Sequence, residues 1–231
     1  AQVDVPAAFH VSTIDNLTFS DGSNFNVKTP ANSLSIASPE SFGLTAASNS
    51  NNSLLTLNGA MLSVKDTQQI DLVAGKITLN NQAALLANEG NIKLTAPQID
   101  IANATISANT DSATDAGNVN IQTTNLSLTD GAQISADSNG AGKSGIVTIN
   151  AKDTLTIQNG ALISSNSNAQ GNGGAVTINT NTLHLDGKNT TAFTGIAANA
   201  TSSGQAGQVN VQATSVNIES GAEINSSTFA Q

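Results

Sequence analysis

GNVNIQTTNLSLTDGAQIS (residues 117–135) and GIVTINAKDTLTIQNGALIS (residues 145–164) are two versions of one pattern. Each opens on glycine and alternates apolar with polar residues, first at Val119 and Ile121 or Val147 and Ile149. After a short polar break it alternates again, at Leu126 and Leu128 or Leu155 and Ile157. It then turns at Asp130-Gly131 or Asn159-Gly160 and ends on Ile134 or Ile163. Alternation of period two means a strand with one buried face. Three such beats per unit, parted by Gly, Asn, Asp and Ser, read as three short strands wrapped into a coil.

The unit recurs on both sides. Gly90, Gly117, Gly145, Gly174 and Gly207 open successive copies, and the last interval is the widest. Val176, Ile178, Leu183, Leu185 and Ile196 carry the three beats of one later copy, and Val209, Val211, Val216, Ile218 and Ile224 those of the next. Because the matching pattern lies one whole unit away, each strand should pair with its counterpart in the next copy. Leu126, Leu155, Leu183 and Val216 then form a column. Asp130-Gly131, Asn159-Gly160, Asp186-Gly187 and Ser220-Gly221 share one corner, where glycine supplies positive φ. A sandwich of hairpins gives no reason for that recurrence. No stretch carries a capped stripe of period 3.6, so no helix is expected. The pattern predicts an all-β chain folded as a right-handed parallel β-helix, a three-sided solenoid. At about 4.8 Å per coil the rod should be on the order of 40 Å long.

Residues 1–89 carry the same chemistry with looser spacing, in LTFSDG, SLSIAS, LLTLNGAMLSV, QIDLVAG and KITLNN. The expected organisation is therefore less regular coils over 1–89 and regular repeats of about 28 residues over 90–231. An irregular stretch at 188–194 should lengthen one turn.

Composition narrows the functional classes. The 231 residues include 38% hydrophobic, 3% aromatic and 10% charged residues, so the core must be built from Val, Ile, Leu and Ala. The net charge is −9 and all seven basic residues are lysine. Without arginine or a basic patch, nucleic acid and anionic membranes are poor partners. No cysteine is present to form a disulfide, and no apolar run reaches membrane-spanning length.

Two blocks carry a family resemblance. FHVSTIDNLTFSDGSNFNVKTPANSLSIASPESFGL (residues 9–44) and LTLNGAMLSVKDTQQIDLVAGKITL (residues 55–79) resemble the later part of the secretion domain of filamentous haemagglutinin-type exoproteins of two-partner secretion systems. Residues 90–231 resemble the repeat coils of the same family. The resemblance implies export through an outer-membrane transporter, folding outside the cell, display at the bacterial surface and adhesion to surface glycans or proteins. It also implies that the chain is a section of a longer filament, with earlier secretion motifs before Ala1 and a further coil after SSTFAQ.

Catalysis finds little support in the pattern. β-Helical polysaccharide lyases and hydrolases set clustered acids beside Arg, Lys or His, and only the tripeptide Asn109-Thr110-Asp111 matches part of such a set. His10 and His184 lie many coils apart, and His184, between Leu183 and Leu185, should point outward. No nucleophile sits on a strained turn for Ser–His–Asp chemistry. No catalytic, cofactor-binding or metal residue is assigned. Calcium is the one ion the turns suggest, because Asp111, Asp115, Asp130 and Asp137 lie in turns of neighbouring repeats. Lys143, Lys152 and Lys188 are expected as solvated edge residues. Besides the adhesive rod, two readings stay open: a fibre or surface-layer subunit whose rods join end to end, and a glycan-active or glycan-binding β-helix.

Overall fold

The computed structural model describes residues 2–13, 16–19, 21, 23–26, 39–43 and 53–229. Among them there is no helix. The strands are β1 (Gln2–Val5), β2 (Phe9–Ser12), β3 (Asn16–Phe19), β4 (Asn24–Asn26), β5 (Pro39–Gly43), β6 (Leu54–Asn58) and β7 (Met61–Val64). There follow β8 (Ile70–Val73), β9 (Lys76–Asn80), β10 (Ala84–Leu86), β11 (Ile92–Ala102), β12 (Thr105–Ser107) and β13 (Val119–Thr129). The last are β14 (Gln133–Ser135), β15 (Ile146–Gln158), β16 (Leu162–Ser164), β17 (Ala175–Asp186), β18 (Gly195–Ala197), β19 (Gln208–Glu219) and β20 (Glu223–Asn225).

Strands adjacent in sequence lie in different sheets from β10 onward, and each pairs with its counterpart one coil away. One sheet stacks β1, β7, β10, β12, β14, β16, β18 and β20 in parallel. The other stacks β2, β8, β11, β13, β15, β17 and β19, with β6 and β9 continuing the second half of β11. Two parallel sheets wound by one chain form a β-solenoid. Its first two beats are a single long strand of 11 to 13 residues, as in β11, β13 and β15, so each full coil has two named strands. A third line of parallel contact runs through the bridges Thr110–Ser138, Ser138–Ser167, Ser167–Ala200 and Ala200–Thr228.

The registers reproduce the columns read from the sequence. Leu126 stands over Leu155, Leu155 over Leu183, and Leu183 over Val216. Ile134, Ile163, Ile196 and Ile224 form the column of the short strands. Apart from Val216 and Ile224 in the last coil, which are 51% and 37% exposed, these side chains join one core that runs from Leu62 to Ala222, almost all of it without exposed surface. No coil could bury its aliphatic face alone, so stability comes from nearest-neighbour stacking.

The coil length changes along the stack for local reasons. Ile70 pairs with Ile92 and Ile77 with Ile99, a shorter coil than those that follow, and the ladder passes position 90 without a break. After β12 the corner into the next long strand grows from residues 87–91 to residues 108–118. The bridges through Thr110 begin there. Between Ala151 and Thr154 the register slips by one residue, a bulge that absorbs Lys152 or Asp153. The longest coil, from Gly174 to Gly207, owes its length to the corner between β17 and β18 at positions 187–194, where the preceding coil uses only 159–161.

Glycine has two separate jobs here. Gly117, Gly145 and Gly174 open their coils with no room for a side chain. A Cβ on Gly145 would lie 1.8 Å from the Gly117 carbonyl oxygen, and one on Gly174 1.8 Å from that of Gly145. At the other corner Asp130 and Gly131 both have positive φ, 57° and 76°, as do Asn159 and Gly160 at 53° and 82°. That is the backbone of a type I′ turn. Asp186-Gly187 departs from the expected corner, because Gly187 is not among the positive-φ residues. The corner is longer there and reaches the left-handed region at Asn189 instead, with the Thr194 hydroxyl accepting from the Gly160 N–H of the preceding coil at 2.8 Å.

The first coil carries an excursion. Strand β2 ends the first beat, and β6 supplies the second only after a long detour of the chain. Within the excursion β3 pairs antiparallel with β4 and β5, outside the parallel ladder. The chain departs and returns at one place: the Thr13 hydroxyl reaches the Ser53 carbonyl at 3.4 Å, and the Gly75 N–H donates to Ser53. The SLSIAS segment, expected to form a strand, lies outside the described residues, as does much of the 9–44 block.

Gly145→Ala should therefore destabilise the rod by several kcal/mol, because backbone must move. Gly131→Ala has nothing within 4 Å of the new Cβ. It meets only the left-handed penalty of about 1–2 kcal/mol. Chemical denaturation of the two variants checks the order, and equal losses would refute the close-approach account.

Candidate functional site on the outer faces of the coils

The inward positions of the long strands are aliphatic, and buried polar side chains such as Ser107, Ser135, Ser138, Ser164 and Ser167 lie on the short strands and at the corners. The registers stack the outward residues in columns too. Gln122, Asn150, Asn179 and Gln212 form one, at the end of the first beat. The Asn179 Nδ2 donates to Asn150 Oδ1 at 2.9 Å, tying adjacent coils. Beside this column the step between the two beats forms an open trough of about 660 Å³, lined by Gln122, Thr123, Asn150, Lys152, Asn179 and Thr180 among others. A second trough of about 510 Å³, at Lys76, Pro97, Gln98 and Asn125, occupies the same step nearer the first coil. Both offer amide and hydroxyl donors and acceptors in rows set by the strand spacing. With no Trp or Tyr in the chain, neither can stack an aromatic of that kind on a ligand.

The turn aspartates are spread across separate ladders and do not meet. Asp111 Oδ1 accepts from the Asn139 amide at 2.8 Å, and Asp115 Oδ1 accepts from the Lys143 backbone N–H at 2.8 Å. Asp130 Oδ1 accepts from the Asn159 amide at 3.2 Å. Asp137 belongs to a fourth ladder. There the side-chain oxygen of Asn109 accepts the N–H of Asp137, Asp137 that of Asn166, Asn166 that of Asn199, and Asn199 that of Ser227, at 2.6–2.9 Å. The four carboxylates offer no shared calcium site.

In that ladder Asp137 is an acid in an amide's place. Burial pushes its carboxyl above the ordinary value, opposed by hydrogen bonds from the Asn166 N–H and the Ser164 hydroxyl. Asn109-Thr110-Asp111 is likewise taken up by structure. Asn109 and Asp111 serve two ladders, and Thr110 is buried, its hydroxyl donating to Glu89 at 3.0 Å.

The histidines stand apart. His10, on β2 in the first coil, has Nδ1 3.6 Å from Asp71 Oδ2. His184, on β17, points outward as the alternation predicts, and its Nε2 is 3.7 Å from Glu219 Oε1. Asp186 joins it: the potential ligand atoms of His184, Asp186 and Glu219 all lie within 4.8 Å of one another. No other such trio occurs among the described residues. The wide interval between Gly174 and Gly207 places Asp186 beside Glu219, so the sequence held the signal for this group. Hydrogen bonds from the Ser220 hydroxyl and the Lys188 N–H hold the Asp186 carboxyl below its usual range, helped by the nearby His184 and Lys188 charges.

Among the described residues no helix is long and apolar enough to cross a membrane. Compared with protein-family models, with curated proteins and with solved structures, the chain matches none.

Asp137→Asn should stabilise the protein at neutral pH. A carboxyl whose value is raised on folding is harmless below the ordinary range near 3.9, and stability falls as pH rises through its folded value. The ladder already uses asparagine in the neighbouring coils, and the Ser164 hydroxyl can accept as well as donate. Thermal melts at pH 7 and near pH 3.5 check this: the variant's advantage should shrink at the lower pH. An advantage that grows on acidification would refute it.

Proposed function

We propose that the chain is a structural and adhesive section of a long secreted bacterial surface filament and is not itself a catalyst. The observation that carries this reading is the parallel stack, which devotes Asp111, Asp115, Asp130 and Asp137 to ladders between coils and leaves amide and hydroxyl rows facing outward. Such rows suit many weak hydrogen bonds to surface glycans or proteins. The rod is read as right-handed, by the rule that governs parallel crossovers. It is read as three-sided, with the bridge line through Ser138 and Ser167 as its third face. Export through an outer-membrane transporter and assembly outside the cell follow from the resemblance of residues 9–79 to the exoprotein secretion domain.

Beads coated with the chain should adhere to target cells. Asn150→Ala combined with Asn179→Ala should weaken adhesion several-fold while costing about 1 kcal/mol of stability, the worth of one lost hydrogen bond. In the source cells the intact protein should be exported, with a mass well above 23.2 kDa. Polysaccharide cleavage that is lost in Asp111→Asn would overturn the proposal.

A further inference from the structure

We propose that His184, Asp186 and Glu219 form a surface site for a divalent first-row transition ion of the zinc type. The site stands independently of the adhesive reading. Its donors, one imidazole and two carboxylates, suit zinc, nickel or copper. Calcium needs six to eight oxygens, more than two carboxylates can give.

The geometry comes from the ladder. Asp186 and Glu219 are direct partners on β17 and β19, as are His184 and Asn217. His184 and Asp186 are two residues apart on one strand and so share its outer face. The imidazole is already oriented: its Nδ1 lies 3.2 Å from the Asn217 side-chain nitrogen position, and Nε2 faces Glu219. When Nε2 binds a metal, Nδ1 carries the proton and the Asn217 amide turns its oxygen to accept it. That is the usual outer support of a metal-bound histidine. Two ligands on one zinc lie at most ~4.2 Å apart. His184 Nε2 and Glu219 Oε1, 3.7 Å apart, already meet that limit, and the three ligand atoms all lie within 4.8 Å of one another.

Two further observations single out this rung. Like charges placed opposite each other in a sheet destabilise it. In the preceding coil the same two columns hold the neutral Thr156 and Gln158. Between β17 and β19 two carboxylates face each other instead, and a bound cation would turn that repulsion into a cross-link between coils. The same place carries the one lengthened corner of the regular repeats, at positions 187–194, which starts directly after Asp186. Insertions in a repeat protein map to loops on one face, often the binding face. Lys188 competes for the acids, and both its backbone N–H and the Ser220 hydroxyl donate to Asp186, but a carboxylate has about four lone-pair sites and keeps some free for a metal.

Calorimetric titration of the chain with Zn²⁺ should show one saturable ion per molecule, with Ca²⁺ giving no such isotherm. His184→Thr copies the residue of the coil before, and Glu219→Gln keeps the shape. Each should weaken zinc binding at least tenfold with the β-sheet circular dichroism unchanged. The wild-type protein supplies a readout that needs no variant. The chain has only two histidines, so zinc should move the imidazole resonances of His184 and leave those of His10 in place. An isotherm unaffected by both variants, a shift at His10 instead, or an equal response to calcium would overturn the site.

Discussion

Everything in this molecule hangs on the register between coils. A parallel ladder fixes which residue stands over which. Once Leu126 sits on Leu155, every neighbour along both strands is determined as well. A slip of one residue would turn the aliphatic face outward and the polar face in. The register is held by several devices at once. The aliphatic columns fill the interior, and the asparagine ladder through Asn109, Asp137, Asn166 and Asn199 ties side chain to backbone across each gap. The glycine column sets a minimum distance that no other residue permits.

Local signals were the legible ones. The apolar alternation and the recurrent Asp-Gly or Asn-Gly corner belong to this kind, and both appear as expected at 117–135 and 145–164. The position of each glycine was also legible, although its reason was only half so. Gly131 serves φ, whereas Gly145 serves close approach, and close approach is visible only when the next coil is in place. The shorter coils before Gly90 were hidden because the spacing of the later repeats misaligns Ile70 with Ile92. The antiparallel excursion through β3, β4 and β5 follows a different pairing rule from the rest, and nothing in the repeat announces it.

The outer surface was less legible, for a physical reason. Outward residues are constrained only by solubility and by their neighbours above and below. Asp111, Asp115, Asp130 and Asp137 look alike in the sequence, yet each serves a separate ladder. His184 and Glu219 look unrelated, and the ladder sets them side by side. Proximity on such a rod depends on the coil length, so one miscounted corner hides a cluster.

The lengthened corner at 187–194 has a wider consequence. The chain adds residues there, and the strands below and above still match, Leu162 to Gly195 and Ile163 to Ile196. A detour at a corner is thus invisible to the stack, apart from a loop-closure cost that grows only slowly with length. The excursion between β2 and β6 obeys the same logic on a larger scale. Such a rod behaves as a mounting rail: foreign segments can be hung from any corner at a chosen height, spaced in steps of one coil, while the rail keeps its pitch.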